Sequence, residues 1–453
     1  MKPICVDLDN TLIFSDSMFL LWLKVLKKSP MLALYVIYIF FFNGSAEAKH
    51  FITCHGNLDI ENLPYNQNLV SWLVQKKEQG HAIWLVTGAN QFIANRIALH
   101  LPIFDGVLAS DKQNNLIGEK KASCLKNHFS SFIYIGDHKK DLVVWAEASE
   151  SGIVCKNKKP PFKGTFKYIF NRPQATLKDW AKLLRIDHWP KNLLIWLPML
   201  FQYKALDSSL FLLALLATIC LCLFASVGYI CDDAINLNQG QKKPFVTGLI
   251  DIPQALQIAS LILVINLCLM SFLPNETKSF LITYFIAALC FSLLGKNNII
   301  LDVFLLASFY AIRVEIGCTL IAGICSPELT LSILFSCLGL ACAKQLTSLK
   351  KDDSQAMQQT DNSSNVSLLS SIGISISGIG VMMFADFLRH FIHETSYAQP
   401  NYLFLCIPLL LYWQYKFWHC CFNQRSQNID GTTMYKDTYI VSSLLIIIIF
   451  LAA

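Results

Sequence analysis

Charged side chains are scarce in this chain. They make up 15% of its 453 residues, against 54% apolar and 12% aromatic. Most of the Lys, Asp and Glu fall before residue 192, and the remainder of the chain is largely apolar. This imbalance excludes a wholly soluble protein and implies one soluble head joined to an integral membrane body. Among sixteen cysteines there is no CxxC pair with zinc spacing. Several cysteines (Cys220, Cys222, Cys290, Cys318) lie inside apolar runs and read as small buried hydrophobes. No repeat or low-complexity tract is present. Met1-Lys2 leads straight into a strand-like PICVDLD, so no cleavable signal peptide is expected. The net charge of +6 requires no nucleic acid, since loop lysines beside a membrane account for it.

The head is expected over residues 1–155. Five short apolar runs, ICVDL, AIWLVTG, GVLAS, FIYIGD and GIVCK, end at turn or acidic residues and alternate with helix-like stretches. The pattern predicts a doubly wound α/β fold, in which ligands collect at the carboxyl ends of the strands. Met31 to Phe42 interrupts it as an unbroken apolar run after the basic stretch LLWLKVLKKSP. Such a run is too short to cross ~30 Å of hydrocarbon, so an inserted cap or interfacial helix lying on the bilayer is expected. Residues 156–180, with KNKKPPFKGTFKYIFNRPQ, read as a basic linker.

Four short motifs give the head its chemistry. Asp7 and Asp9 follow the first strand at i and i+2, and the turn after it can bring both to one phosphate. One carboxylate can attack phosphorus while the other protonates the leaving oxygen and later activates water. The Thr87 hydroxyl and the Lys121 ammonium, at other strand ends, can neutralise phosphate oxygens. Asp137 and Asp141 can hold Mg²⁺ together with Asp7, as hard oxygen ligands for a hard ion. This set, Asp7-Leu8-Asp9-Asn10-Thr11, Thr87, Lys121 and Gly136-Asp137 with Asp141, resembles the haloacid dehalogenase (HAD) superfamily of phosphatases. The resemblance implies Asp7 as nucleophile and Asp9 as general acid and base. It also implies Thr11, Thr87 and Lys121 as phosphate ligands, and Asp7, Asp137 and Asp141 at Mg²⁺. Lys120 is the alternative to Lys121, which is preferred because it falls three residues after Gly118.

From about residue 190 the chain becomes a succession of apolar segments, near 192–205, 209–231, 254–274, 279–295, 299–323, 329–347, 366–388, 402–421 and 437–453. About nine transmembrane helices are expected. The stretch SSNVSLLSSIGISISGIG reads as a small-residue membrane helix suited to close packing. Loops on the head's side carry Lys242, Lys243, Lys296, Lys344, Lys350, Lys351, Lys416, Arg425 and Lys436. The opposite side carries only Lys204, Lys278 and Arg389. The asymmetry predicts a multi-pass inner (cytoplasmic) membrane protein with a cytosolic head.

Polar residues punctuate the body: Arg185, Lys191 and Asn192 before the first span; Asp232, Asp233 and Asn236 after the second, followed by Lys242 and Lys243; then Lys296, Asp302 and Arg313 around the fifth. Acidic residues at a helix end suit Mg²⁺, and a metal-screened diphosphate can also be met by lysines. Ionisable groups within a membrane segment face a cavity or a partner, and Arg313 can pair with Glu315 or with an acidic residue elsewhere. In order and spacing these stretches resemble the UbiA superfamily of intramembrane prenyltransferases, in its decaprenyl-phosphate phosphoribosyltransferase-like branch. The resemblance covers residues 181–453, and with the head the whole chain looks like bacterial HAD–UbiA fusions. It implies Mg²⁺, a polyprenyl phosphate or diphosphate, a phosphorylated small molecule and membrane lipid as partners, and no nucleic acid. Asp232 and Asp233 would bind metal; the other residues named would bind substrate. The chain departs from the pattern at Asp232, which stands for Asn, and at Asn236, which stands for Asp. Lys344-Gln345 and Ser348 replace a Lys-Arg pair and a Glu. Two functions remain open: a bifunctional transferase and phosphatase, or a membrane-tethered phosphatase whose bundle only binds or anchors lipid.

Overall fold

The computed structural model describes residues 1–453 except 112–113, 157–164, 202–207, 237–243, 246, 295–298, 322–325, 354–361, 395–397 and 424–453. It forms two compact units, Met1–Ile186 with Tyr229–Leu261, and Asp187–Gly228 with Ile262–Ala453.

The first unit is built on a six-stranded parallel sheet. Its strands are β1 (Ile4–Val6), β2 (Ile83–Asn90), β3 (Gly106–Ser110), β4 (Ile133–Gly136), β5 (Glu150–Cys155) and β6 (Tyr168–Asn171), in the order β3-β2-β1-β4-β5-β6. Every pairing is parallel. The central strands β1 and β4 are buried along their whole length, as a sheet covered on both faces requires. Strand order reverses between β1 and β4, and the carboxyl ends at such a switch point are where doubly wound folds bind ligands. The five expected strands are all present. The sixth, β6, lies in the stretch expected to be a linker. It is held there because Tyr168 and Phe170 pack on Trp72, with ring centroids 4.9 and 5.4 Å apart, and because its register continues β5.

Eight helices accompany the sheet: α1 (Ser17–Lys28), α2 (Pro30–Phe42), α3 (Ser45–His55), α4 (Gln67–Glu78), α5 (Gln91–His100), α6 (Glu119–His128), α7 (Leu142–Glu147) and α8 (Leu177–Leu183). The first three form an insertion between β1 and α4. Asp16 caps α1 by accepting from the Phe19 amide, and Ser29, with Pro30 behind it, separates α1 from α2.

Downstream come α9 (Leu197–Phe201), α10 (Ser208–Ile235), α11 (Ile252–Met270), α12 (Asn275–Leu294), α13 (Ile299–Leu320), α14 (Pro327–Asp353), α15 (Asn362–Glu394) and α16 (Cys406–Asn423). The end of α10 and the start of α11 belong to the first unit. Among the described residues five helices are long and apolar enough to cross a membrane, within α10, α11, α12, α14 and α15, and they make this a membrane protein. Nine spans are not found among the described residues. The segment near 192–205 begins as a 3₁₀ helix, Ile186–Trp196, with Pro190 inside it, and passes into the short α9. Proline removes an amide donor, so a regular helix does not run through. The segment at 437–453 lies outside the described residues. Close packing of the small-residue helix is seen directly: a Cβ added at Gly339 of α14 would collide with Ser377 Oγ of α15. Among the described residues thirteen cysteines are free thiols; Cys318 departs from the expectation and is disulfide-bonded.

Candidate active site

Asp7 is the residue after β1, and its amide continues the sheet by donating to the Ile135 carbonyl at 2.9 Å. Its Oδ1 accepts from the Leu8 amide at 2.9 Å and lies 3.1 Å from Lys121 Nζ. Lys121, on the first turn of α6, is 3% exposed, whereas Lys120 points outward. Lys121 also lies 3.8 Å from Asp141 Oδ1 and donates to the Tyr134 hydroxyl at 3.0 Å. Tyr134 in turn donates to Asp141 at 2.9 Å. Thr11 is fully buried and donates to Asp137 Oδ1 at 3.3 Å. Thr87, near the end of β2, is fully buried, with its hydroxyl oxygen accepting from the Ala89 amide. Asp9 is fixed by the Ser17 amide, 2.8 Å from its Oδ1. The structure therefore brings together Asp7, Thr11, Lys121, Asp137 and Asp141 at the switch point, with Asp9 on the same loop as Asp7 and Thr87 at the neighbouring strand end.

Burial sets the electrostatics. It raises the Asp7 carboxyl, and Asp141 adds to the rise while Lys121 opposes it. It pushes Asp9 up to about 7, with Asp16 contributing, and Asp137 up to about 8, with Asp7 and Asp141 contributing. Burial alone would lower the Lys121 ammonium, but Asp7 and Asp141 outweigh it and hold it above the usual lysine value.

Asp7, Asp137 and Asp141 each offer a carboxylate oxygen, and these oxygens lie within 4.8 Å of one another. Three carboxylates against one ammonium leave an excess of negative charge in a buried place, and all the donors are hard oxygens. Mg²⁺ fits this set. Gly136 makes the cluster possible, since a Cβ there would come within 2.6 Å of Asp141 Oδ2. Tyr134→Phe removes the hydroxyl that ties Lys121 to Asp141 and keeps the ring. We expect the affinity of the cluster for Mg²⁺ to fall roughly 10- to 100-fold, read by calorimetric titration with Mg²⁺.

Besides Tyr134, three neighbours were not legible in the sequence. Lys49 of α3 donates to the Gly88 carbonyl at 2.8 Å and to Asn115 Oδ1 at 3.1 Å, and so ties the helical insertion to the sheet beside Thr87. Arg172, just past β6 and 8% exposed, donates to the Phe14 carbonyl at 2.5 Å and to Asn10 Oδ1 at 3.3 Å, and it pairs with Asp251. Asp251, immediately before α11, also lies 2.9 Å from Lys156. Asn10, held in this way, has a φ of 55°, in the left-handed region that asparagine tolerates. The helix N-terminus at Asp251 is thus fastened to the loop that carries Asp7 and Asp9.

The residues expected to serve a transferase fall into two groups. In the first unit, Arg185 reaches Asp233 Oδ1 at 2.7 Å and Asp232 Oδ2 at 3.8 Å, with its guanidinium 4.5 Å from the Tyr229 ring centre. Asn236 donates to Asp232 Oδ1 at 2.9 Å. Among the described residues, the groups of three or more potential ligands close enough to share an ion do not include Asp232 or Asp233. In the second unit, Arg313 donates to Asn192 at 2.8 Å, to the Phe309 carbonyl at 2.5 Å and to the Tyr284 hydroxyl at 3.1 Å. Glu315 instead accepts from Thr330 at 2.6 Å, and Asp302 accepts from Gln345. Lys191 is exposed. Lys242, Lys243 and Lys296 lie outside the described residues.

No protein-family model matches the chain. An uncharacterized protein of Sinorhizobium fredii, y4nM, is 27% identical over 356 residues, which cover 76% of this chain and 69% of that protein. Among solved structures, a UbiA homolog from Archaeoglobus fulgidus bound to GPP and Mg²⁺ is 14% identical, with a TM-score of 0.45 over 60% of this chain and 98% of its own. A phosphoserine phosphohydrolase-like protein from Francisella tularensis is 17% identical, with a TM-score of 0.28 over 37% of this chain and 94% of its own. TM-scores this low do not establish a shared fold.

Proposed function

We propose that the protein is a Mg²⁺-dependent phosphomonoesterase of HAD type, built onto a UbiA-type prenyltransferase body in the inner membrane, with the head in the cytosol. The observation that carries the reading is the convergence of Asp7, Lys121, Asp137 and Asp141 at the point where strand order reverses. Asp7, Asp137 and Asp141 would hold Mg²⁺, which supplies charge neutralisation for the phosphate. The Leu8 amide and Lys121 engage Asp7 Oδ1, so Oδ2 is the oxygen that attacks phosphorus. An Asp7–phosphorus bond forms as the bond from phosphorus to the leaving oxygen breaks, and Asp9 gives that oxygen its proton. Water then attacks the aspartyl-phosphate, passes a proton to Asp9 and releases inorganic phosphate. A carboxyl raised to about 7 serves both steps near neutral pH. Lys121 and Thr87 would hold the phosphate oxygens.

For the body, the proposed activity is transfer involving polyprenyl phosphate or diphosphate, with phosphoribosyl transfer to polyprenyl phosphate as its specific form. Asp232 and Asp233 would hold Mg²⁺, and Arg185, Lys191, Asn192, Asn236, Lys242, Lys243, Lys296, Asp302 and Arg313 would bind substrate. One observation favours the second reading, an anchoring bundle: Arg185 already neutralises Asp233 and approaches Asp232. Purified full-length protein is incubated with Mg²⁺, polyprenyl phosphate and phosphoribosyl diphosphate, and in parallel with polyprenyl diphosphate and an aromatic acid. Mass spectrometry of the lipid phase reads the product. A new lipid that disappears in Asp233→Asn supports the transferase; phosphate release with no new lipid supports the anchor.

A further inference from the structure

The helical insertion of the head carries a surface that the chemistry at Asp7 leaves unexplained. Helix α2 is apolar on every side. Only one stripe, Ala33, Val36 and Ile39, is buried. The rest faces outward: Met31 is 78% exposed, Phe41 76% and Phe42 74%, and Leu34, Tyr35, Ile37, Tyr38 and Phe40 are exposed with them. So large an apolar surface is unfavourable in water and marks a contact with something apolar. The helix has 13 residues, too few to span a bilayer, and is suited to lying within its surface.

Two features name the occupant. First, the last turn of α1, directly before α2, carries Lys27 and Lys28, a positive edge that suits anionic headgroups. Second, the unit that holds α2 also holds the start of α11, one of the helices able to cross a membrane, fixed through Asp251 to Arg172 and Lys156. The head is thereby held where a membrane helix begins. Both neighbours of α2 lead into the site. Helix α1 starts at Ser17, whose amide fixes Asp9, and α3 carries Lys49, which grips the Gly88 carbonyl next to Thr87.

We infer that α2 inserts into the lipid surface and that the head's substrate is a lipid phosphate monoester, presented to Asp7 from the bilayer. The inference rests on the phosphatase reading of Asp7 and extends it to a substrate class. The insertion acts as a cap whose outer helix sits among acyl chains while its inner contacts hold the proton-transferring carboxylate and the phosphate-binding strand end. A phosphate whose alcohol is anchored in the same lipid layer reaches the site without leaving the membrane. The reaction is the one written above: the lipid alcohol leaves with a proton from Asp9, and water supplies the oxygen of the released phosphate.

The test uses the full-length protein reconstituted in vesicles of phosphatidylcholine and phosphatidylglycerol. Phosphate release is followed from a long-chain polyprenyl monophosphate in the vesicles and from p-nitrophenyl phosphate in solution. The triple variant Leu34→Ser, Phe41→Ser, Phe42→Ser should lower the ratio of kcat/KM for the lipid to that for the soluble ester by about tenfold, chiefly through KM. A photoreactive residue at position 41 should cross-link to lipid. An unchanged ratio, or cross-linking to protein alone, overturns the inference, as does hydrolysis of the soluble ester with none of the lipid. No hydrolysis of either ester by the wild-type protein refutes instead the phosphatase reading on which it rests.

Discussion

Asp7→Asn should lower phosphate release from any ester by roughly 10³-fold or more, with the fold retained. Asparagine keeps the shape of the side chain and can still accept from the Leu8 amide, but its amide oxygen is not a nucleophile towards phosphorus. The substitution also takes one negative charge from a buried group of three, in which Asp141 and Asp137 repel Asp7. Loss of turnover should therefore come without loss of melting temperature. Measuring both on one preparation separates a missing nucleophile from a collapsed site. Unchanged phosphate release would sink the assignment of Asp7.

The second large effect is expected at Lys121. Replacing it with Met keeps the aliphatic stem and removes the only ammonium within ion-pair distance of Asp7 and Asp141 among the described residues. Both carboxylates are then left buried without a counter-charge, a change that typically costs about 3–5 kcal/mol. Phosphate release should fall by roughly 10²-fold, because on the proposed reading the lost ammonium would also meet the phosphate. Millimolar Mg²⁺ should restore part of the lost melting temperature, because a divalent ion bound only by the folded state takes over the neutralisation. Lys120→Met, one residue away and exposed, should change stability by no more than ~0.5 kcal/mol. A variant at Lys121 as stable as one at Lys120 would show that the ammonium does not hold the cluster together.

The contrast between these two lysines shows how far the sequence could be read. A GxxK spacing favoured Lys121, and the helix phase of α6 turns it inward while Lys120 meets solvent. The strand-end aspartates were legible because chemistry at the end of a buried parallel strand needs a polar residue where the apolar run stops. Tyr134 was not, because an aromatic within an apolar strand looks like core, and only the fold shows its hydroxyl between Lys121 and Asp141. Strand β6 was hidden by the lysines and prolines before it, a composition that signals a linker when no partner strand is in view. In the body, apolar length located the five helices able to cross a membrane, but the partners of Arg313 are an amide, a carbonyl and a phenol from three different segments. No periodicity encodes such a set.

The bond between Arg172 and Asp251 joins residues 79 positions apart, with the whole of α10 between them. Chains emerge from the ribosome amino end first, and domains generally fold as they emerge. The sheet, Asp7 and Asp9 are therefore synthesised before the carboxylate that completes the grip on Asn10 and Phe14. That carboxylate arrives only after a membrane helix has been made. A nascent head therefore holds Asp7 and Asp9 before the Asp251 fastening of their loop exists.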